Sequence, residues 1–269
     1  MAKISVNNLS FHYEKGTPVL KNINLKLNQR STAIIGQNGA GKTTLVKLLK
    51  GLLEPVGGNI LINGLNTKEH SAASLASEIG LVFQNPSDQI FNNNVLEEVM
   101  FGPLNINYSE KEAKKLAYEA IERVNLEAMV DENPYDLSLS ERKLITIASI
   151  LAMDPEIIIF DEPTIGQDYE NIELIKDIIR KEIDDGKLVI TINHDMDFVS
   201  ELFDRIIVIN QGEVIADGSA KEIFRKEVVL NKAHLEIPSV KKISNNLGIE
   251  KNLLTKDEFI EFFEALSEN

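Results

Sequence analysis

Residues 36–44 read GQNGAGKTT, and their types and spacing predict a site for phosphate groups. Gly36, Gly41, Lys42 and Thr43 match G-x-x-x-x-G-K-[ST], in which backbone N–H groups and a helix N-terminus surround phosphates. The lysine of this pattern meets the β- and γ-phosphates, and the hydroxyl binds Mg²⁺. A glycine turn with an incidental lysine would have to meet three separate requirements by chance. We therefore predict a nucleotide bound by Gly36, Gln37, Asn38, Gly39, Ala40, Gly41, Lys42, Thr43 and Thr44.

A second candidate is the acidic pair Asp161 and Glu162, which directly follows the apolar run 157–160. These residues would end a strand at the carboxyl edge of a sheet, where open α/β folds place their ligands. Asp161 is suited to hold Mg²⁺ through water, and Glu162 to orient and deprotonate the water that attacks the γ-phosphate. Acidic residues also begin many helices, so the pair alone leaves both interpretations open. The following Pro163 and Thr164 favour the site.

The phosphate loop needs a strand before it and a helix after it, and the sequence predicts both. Residues 3–13 and 19–27 alternate apolar and polar side chains, which predicts an antiparallel N-terminal β part. Residues 32–36 form a short buried run that leads into the loop. From Thr43 onward the helical spacing of four leucines predicts the following helix, at Leu45, Leu48, Leu49 and Leu52.

The remaining elements predict an α/β fold with a mostly parallel central sheet. Near-continuous apolar residues at 157–160 and 188–192 are typical of strands that are covered on both faces. Ser109 and Glu112 form a plausible capping box before a helix. Residues 205–210 and 213–218 flank the Gln211-Gly212 turn and predict a closing antiparallel pair. After Phe224 the pattern becomes short, charged and helical, and Thr255 with Glu258 suits the start of one of these helices.

Composition narrows the class of protein. With 43% apolar residues among 269, the chain has ample material for a hydrophobic core. The net charge of −14 would repel a phosphate backbone and no basic stripe offsets it, so we expect no nucleic-acid partner. The absence of cysteine excludes disulfides and thiol catalysis. No apolar run reaches the roughly 18 residues that cross a bilayer, and residues 1–10 lack a signal pattern, so a cytoplasmic chain is expected.

Five motifs together resemble those of ABC-type ATPases, in the same order and approximate spacing over residues 1 to about 220. They are residues 36–44, Gln84, residues 137–143, residues 157–164 and His194. The resemblance implies ATP and Mg²⁺ as cofactors and a helical subdomain around residues 137–143. Without it, a histidine at a strand end would be interpreted as structural.

The resemblance also implies roles for single residues. Tyr13 is similar to the aromatic residue that stacks on adenine, although alone it would be interpreted as strand packing. Gln84 resembles the glutamine that contacts Mg²⁺ and the attacking water, so the metal ligands implied are Thr43, Gln84 and Asp161. His194 resembles the switch histidine that contacts the γ-phosphate. The catalytic residues implied are Glu162, His194 and Gln84.

Residues 83–106 and the segment after Phe224 resemble, more narrowly, the ATPase subunits of energy-coupling factor transporters. The resemblance implies a dimer with a related but different ATPase, a transmembrane coupling protein, and indirectly a membrane subunit that binds a vitamin or metal ion. It implies a peripheral position on the cytoplasmic face of the membrane. Four residues are candidate contacts for the coupling protein: Ile90, Phe91, Val95 and Phe101. For any single one of them, packing in the core is the favoured alternative.

The chain departs from the family pattern in two places. The signature Leu-Ser-Gly-Gly-Gln appears as Leu137, Ser138, Leu139, Ser140 and Glu141. In the family this motif closes over the γ-phosphate of the partner subunit, so side chains in place of glycine and an added acid predict a degenerate half-site. A tolerated variant is the alternative, since Ser138 remains and backbone N–H groups do not depend on side chains.

The second departure lies after Thr164. Asp168 keeps the acidic position through which the family's subunits communicate, whereas Gln167 replaces the usual leucine.

The sequence thus predicts an ABC-type ATPase domain at 1–222 and a small C-terminal domain at 223–269, which we expect to contribute to dimerisation. An ATPase subunit of an exporter or of another importer would carry the same five motifs. A soluble ABC protein of DNA repair or translation would be expected to have a coiled-coil insertion or a basic surface. A metabolite kinase or GTPase would share the phosphate loop, but the sequence has no Asn-Lys-x-Asp motif.

Overall fold

A computed structural model of the protein describes residues 3–28 and 31–267, and it confirms the predicted α/β class with two sheets surrounded by helices. The strands are β1 (Ile4–Phe11), β2 (Leu20–Leu27), β3 (Ser31–Ile35), β4 (Gly57–Ile62), β5 (Leu65–Asn66), β6 (Ile79–Val82), β7 (Ile157–Asp161), β8 (Leu188–Ile192), β9 (Arg205–Asn210) and β10 (Glu213–Ser219). The helices are α1 (Lys42–Leu49), α2 (Val95–Asn105), α3 (Glu110–Arg123), α4 (Leu139–Met153), α5 (Tyr169–Asp184), α6 (Met196–Leu202), α7 (Ala220–Ile223), α8 (Glu227–Lys232), α9 (Ser239–Asn246) and α10 (Lys256–Ser267).

The central sheet is mostly parallel, as predicted. Its strand order is β10-β9-β3-β8-β7-β6, with parallel pairing from β9 to β6 and antiparallel β10 at one edge. Every residue of β3, β7 and β8 is buried. The carboxyl ends of β3, β6, β7 and β8 meet at one edge, so the segments that follow these strands are brought together there.

Two predictions about the rest of the β structure are confirmed. The N-terminal sheet is antiparallel in the order β2-β1-β4-β5. Its inner face packs with α1 and the central sheet in one hydrophobic cluster. Gln211 and Gly212 have φ values of 49° and 79°, as the tight turn between β9 and β10 requires.

The helical part consists of α2, α3 and α4, which pack on the other side of the central sheet. The predicted capping box is present at α3, where Ser109 and Glu112 each accept a hydrogen bond from the other's backbone N–H. Its buried face includes Ala120 and Ile121. The predicted length of α1 is wrong, because the helix ends at Leu49 and Leu52 is 43% exposed beyond Gly51, whose φ is 75°.

The C-terminal segment packs partly into the ATPase core. Phe224, Leu230 and Leu254 belong to the same buried cluster as the helical part and the central sheet. The predicted start of α10 is confirmed by a hydrogen bond of 3.3 Å from the Glu258 backbone N–H to Thr255 Oγ1. The division at residue 222 stays a prediction. Within residues 3–28 and 31–267, no helix combines the length and the apolar character needed to cross a membrane.

Candidate functional site

The phosphate loop joins β3 to α1, and two of its glycines have no room for a side chain. A Cβ at Gly36 would lie 2.1 Å from the carbonyl oxygen of Ile209, and one at Gly41 would lie 2.7 Å from a Leu20 methyl group. Gly41 has a φ of 103°, a conformation that favours glycine, directly before the first helical residue, Lys42. The backbone N–H groups at the start of α1 therefore lie open to an anion.

Lys42 places its ammonium group inside the loop. Its Nζ donates hydrogen bonds to the carbonyl oxygens of Gly36 at 2.7 Å and Gln37 at 3.1 Å, and lies 3.3 Å from His194 Nε2. The side chain is 6% exposed. Burial lowers the pKa of Lys42, and the carboxylates of Glu162 and Asp161 oppose this shift. The Lys42 ammonium group therefore lies close to the carboxyl groups of Glu162 and Asp161, which favour its charged form.

Glu162 follows β7 in an unusual backbone conformation, with a φ of 50°. Its N–H donates to the carbonyl oxygen of Ile192 at 2.9 Å, and its Oε1 lies 3.1 Å from His194 Nε2. Burial raises the pKa of Glu162 to about 7, although Lys42 opposes this shift. A left-handed conformation at a buried acid is strained and must be held by its surroundings. A carboxyl group with a pKa near neutrality is suited to exchange protons with water.

The residues around Asp161 fit the Mg²⁺ ion that the motifs imply. Asp161 is 4% exposed, and its Oδ1 has no hydrogen-bond partner among the residues that the structure describes. Burial raises the pKa of Asp161, while a hydrogen bond with the Thr43 side chain opposes the rise. Mg²⁺ takes one or two carboxylates together with phosphate oxygens and water. An unpartnered, buried carboxylate oxygen next to a hydroxyl is a suitable donor set.

Predicted residues from four separate segments line one cleft of about 520 Å³, although Gly36, Gln37, Ala40 and Asp161 are not part of its lining. Its lining consists of Val19, Asn38, Gly39, Gly41, Lys42, Thr43, Thr44, Gln84, Glu162, Ile165 and His194. Tyr13 lies beside this lining, with its hydroxyl 3.3 Å from Thr44 Oγ1 and its ring edge-to-face with Phe11 at 5.0 Å. Since Tyr13 is 60% exposed, it has free aromatic surface at the mouth of the cleft.

The signature residues lie outside the cleft, at the start of α4. The Ser138 side chain accepts a hydrogen bond from the Glu141 N–H at 3.2 Å, and Glu141 Oε2 accepts one from the Ser138 N–H at 2.7 Å. This capping box gives Glu141 a local structural role that glutamine could also fill. Asp168 has a comparable role at α5, where its carboxylate accepts the Asn171 N–H at 2.9 Å.

Sequence reasoning missed Lys143, which is 1% exposed on α4. Its Nζ donates to the carbonyl oxygens of Phe83 at 2.7 Å and Gln84 at 2.6 Å. Burial lowers the pKa of Lys143 to about 8. The lysine ties the signature helix to the backbone that carries Gln84. The signal was a cation directly before residues 144–153, a stretch without charged side chains in which Thr146 and Ser149 are the only polar residues.

Two of the four candidate contacts for a coupling protein are wrong. Ile90 and Val95 are 3% and 0% exposed and belong to the hydrophobic core. Phe91 and Phe101 are 55% and 42% exposed, and their rings meet edge-to-face with centroids 4.4 Å apart. The structure therefore presents an exposed aromatic pair near the segment that carries Gln84.

The glycine loop, Glu162 and His194 line one cleft at the carboxyl edge of a parallel sheet. This places the chain among the nucleoside triphosphatases that use a phosphate loop.

Comparison with known proteins shows to which family of phosphate-loop nucleoside triphosphatases the chain is similar. The sequence profile of the family described as ABC transporter matches residues 20–165. A Pyrococcus furiosus protein, provisionally named an ABC transporter ATP-binding protein, is 42% identical over 247 residues, which cover 92% of this chain and 94% of that protein. The energy-coupling factor transporter ATP-binding protein EcfA of Methanothermobacter thermautotrophicus is 38% identical, covering 91% of this chain and 79% of its own.

A solved structure gives the same result. The structure of cbiO1 from Clostridium perfringens, described as part of the ABC transporter complex cbiONQ, is 33% identical and superposes with a TM-score of 0.75, covering 92% of this chain and 99% of the other. The chain belongs to the ABC transporter ATPase family. It is an ATP hydrolase.

Proposed function

We propose that this chain is the ATP-hydrolysing subunit that powers an importer of the energy-coupling factor type, as one half of an asymmetric ATPase pair at the cytoplasmic face of the membrane. Similarity to EcfA and cbiO1 supports this proposal. The observation that carries it is the exposed pair Phe91 and Phe101, because it offers an apolar contact to a membrane partner on the segment that follows Gln84.

A buried carboxylate holds this aromatic pair in place. Glu98, which is 4% exposed, accepts hydrogen bonds at its Oε2 from the N–H groups of Phe91 at 3.2 Å and Asn92 at 2.9 Å, and from Asn92 Nδ2 at 3.0 Å. Glu98 lies on α2 three residues before Phe101, so one helix positions both rings. A fixed aromatic surface loses little side-chain freedom when a partner binds.

Replacing Phe91 and Phe101 by serine should abolish co-purification of a membrane protein with the tagged chain in mild detergent, because the docking surface loses its apolar anchors. ATP binding by the isolated variant should be unchanged, since neither ring lines the nucleotide cleft. The measurement is mass spectrometry of the co-purified proteins.

Tyr118→Ser is the matched control, because Tyr118 on α3 is 43% exposed, close to the value for Phe101. This control should retain the membrane partner. If wild type recruits no membrane protein, or if nucleic acid stimulates its ATP hydrolysis, the transport proposal is wrong.

We assign the chemistry of hydrolysis to Glu162, with Gln84 and His194 as its neighbours. The Glu162 carboxylate would take a proton from the attacking water, and His194, whose Nε2 lies 3.1 Å from Glu162 Oε1, would contact the γ-phosphate. Gln84 would orient the water. The backbone of Gln84 is itself held in position by the hydrogen bond from Lys143 Nζ to the Gln84 carbonyl oxygen.

The same proposal assigns the remaining binding roles. Tyr13 would stack on adenine at the mouth of the cleft. Thr43, Gln84 and Asp161 would hold Mg²⁺, which would neutralise negative charge on the phosphates. Lys42 would then exchange its loop carbonyl oxygens for the β- and γ-phosphates.

Asymmetry follows from the signature segment. Leu139 is 51% exposed at the start of α4 and occupies space that glycine would leave free for a partner's nucleotide. Two copies of this chain would therefore form two impaired composite sites. A partner with a glycine-rich signature would complete the site at Lys42 and Glu162, whereas this chain would leave the partner's own site slow.

Replacing Leu139 and Ser140 by glycine and Glu141 by glutamine should raise ATP turnover at the partner's site of the mixed complex by several fold. Turnover at that site is isolated by combining the change with Glu162→Gln in this chain. Glu141→Gln alone separates charge from shape: glutamine preserves the capping box, so this variant should give only the part of the increase that comes from removing the acid. If the wild-type chain alone hydrolyses ATP as fast as the complex, the signature is a tolerated variant.

We also propose that α10 contributes to pairing between ATPase subunits. Its apolar residues Ile260, Phe263 and Leu266 are 53%, 43% and 57% exposed. Phe263 and Leu266 line a shallow groove together with Leu247 and Ile249 of the preceding segment. An exposed apolar helix face beside a shallow apolar groove is suited to pack against the same surface of a second, similar subunit.

Removing residues 255–269 should weaken pairing and leave nucleotide binding intact, as measured by sedimentation and calorimetry. Truncation at Phe224 would be a poor test, because it would also remove core residues such as Leu230 and Leu254. The control Val228→Ser changes an 83% exposed apolar residue on α8 and should pair normally. If the truncated chain pairs as well as wild type, α10 does not contribute to pairing.

A further inference from the structure

The two departures from the family pattern contact each other within one chain. Ser140 Oγ donates a hydrogen bond to Gln167 Oε1 at 2.7 Å and accepts one from Asn171 Nδ2 at 2.9 Å. Ser140 lies in the first turn of α4, Gln167 in the loop that follows Glu162, and Asn171 in the first turn of α5. Glycine at position 140 and leucine at position 167 could make neither side-chain hydrogen bond.

The second substituted glycine position contacts the same loop. The Leu139 side chain packs over Gly166, where a Cβ would lie 3.6 Å from Leu139 Cδ2. Ser140 therefore binds the loop 164–168 of its own chain, and the half-exposed Leu139 side chain lies beside the same loop. Gln167 Nε2 is buried without a hydrogen-bond partner among the described residues, so the Gln167 amide is held through its oxygen.

The loop connects this contact to the catalytic residues. The Gln167 N–H donates to the Thr164 carbonyl oxygen at 3.2 Å, and Thr164 Oγ1 accepts a hydrogen bond from Asn193 Nδ2 at 3.1 Å. Asn193 directly precedes His194, and Thr164 lies two residues after Glu162. Because Glu162 has a φ of 50°, its conformation depends on the restraint of the segments on either side.

We propose that Ser140 and Gln167 are positioning residues for this chain's own Glu162 and His194, an inference that rests on the catalytic roles proposed above. The signature segment then has opposite effects on the two composite sites of a mixed pair. Its side chains obstruct the partner's site, and they stabilise the loop that supports hydrolysis at the site on this chain. Restoring glycine at position 140 should raise turnover at the first site and lower turnover at the second.

The direct test is a double-mutant cycle on the isolated chain with Ser140→Ala and Gln167→Met. Amide hydrogen exchange of the loop 164–168, followed by mass spectrometry, measures how often the loop opens. Gln167→Met should raise the exchange rate about 2- to 10-fold, the effect of losing one neutral hydrogen bond, and Ser140→Ala should raise it at least as much, because it also removes the bond from Asn171. The double variant should exchange no faster than the faster single variant, because both changes remove the same contact.

Two further variants serve as controls. Ser140→Thr keeps the hydroxyl group and should restore exchange close to wild type. Ser149→Ala removes a hydroxyl from the same helix, where it donates to the Ile145 carbonyl oxygen at 3.0 Å, and should leave the loop unchanged. Multiplicative rates in the double variant, or equal loosening by Ser149→Ala, would overturn the proposed contact.

Steady-state ATP hydrolysis tests the positioning role when the same variants are paired with a partner ATPase whose own catalytic acid is replaced by glutamine, because only the site on this chain then turns over. Loss of the contact should lower kcat by about 2- to 10-fold and leave KM for ATP unchanged, because the altered residues position the base and do not bind the nucleotide. Faster exchange with an unchanged kcat would overturn the positioning role. These outcomes are independent of the membrane partner, so failure of the Phe91 and Phe101 experiment would leave them interpretable.

Discussion

Replacing Glu162 by glutamine should leave ATP bound and slow its hydrolysis by about a hundredfold or more in the assembled complex. Glutamine keeps the size and the hydrogen-bonding edge of the side chain but accepts no proton from water. The carboxyl group lies in the cleft with His194 Nε2 at 3.1 Å and Lys42 close by. Calorimetry gives the affinity for ATP, and release of phosphate gives the rate.

Glu156→Gln is the matched control, because Glu156 precedes the same strand, β7, at its opposite end, away from the cleft. This variant should hydrolyse ATP at the wild-type rate. Wild-type hydrolysis by Glu162→Gln would instead show that another group accepts the proton.

The same substitution should affect stability in a direction set by the pKa of Glu162. Burial raises the pKa to about 7, so between the ordinary value near 4.5 and about 7 the folded state holds a proton that the unfolded chain has lost. Stability contributed by the protonated carboxyl is therefore lost as pH rises through this window. At pH 8 the folded wild-type chain must bury an ionised Glu162, whereas glutamine stays neutral. The thermal unfolding midpoint of the nucleotide-free variant should therefore exceed that of wild type at pH 8.

Replacing Lys42 by alanine should remove tight binding of MgATP. A lysine ammonium makes charge-assisted hydrogen bonds that are worth about 1.5–3 kcal/mol each, which corresponds to a loss of about 10- to 100-fold in affinity for one such bond. Lys42 is 6% exposed and lies between the carbonyl oxygens of Gly36 and Gln37, where no water can replace it easily. Calorimetric titration with MgATP measures the change.

Lys47→Ala is the control for Lys42, since it removes the same charge from the same helix, outside the lining of the cleft. It should bind MgATP with nearly wild-type affinity. Unchanged affinity in Lys42→Ala would contradict the assignment of residues 36–44 as the phosphate loop.

The two buried lysines of the site have different roles for a physical reason. Lys42 lines the cleft, so its ammonium group is available to phosphates. Lys143 is 1% exposed and donates to the carbonyl oxygens of Phe83 and Gln84, so it holds the backbone that carries Gln84, and its charge also acts on Asp161 and Glu162. Together with Ser140 on the same helix, Lys143 makes the first turns of α4 a support for both sides of the nucleotide site.

The sequence by itself determined the fold class and the phosphate site, because both depend on local patterns. A glycine loop between a strand and a helix has few structural alternatives, and the confirmed hairpin at Gln211 and Gly212 has the same local origin. The shared carboxyl edge of parallel strands predicted that Glu162 lies beside the phosphate loop, whereas the roles of Gln84 and His194 came only from the resemblance to the family.

Only the tertiary structure decided which side chains face a partner and which face each other. Ile90 and Phe91 are neighbours in sequence, yet one is buried in the core and the other is exposed, because the loop between β6 and α2 follows no helical or strand period. The contact between Ser140 and Gln167 joins residues 27 positions apart. Such pairs depend on how separate helices pack, and neither propensity nor spacing along one segment contains that information.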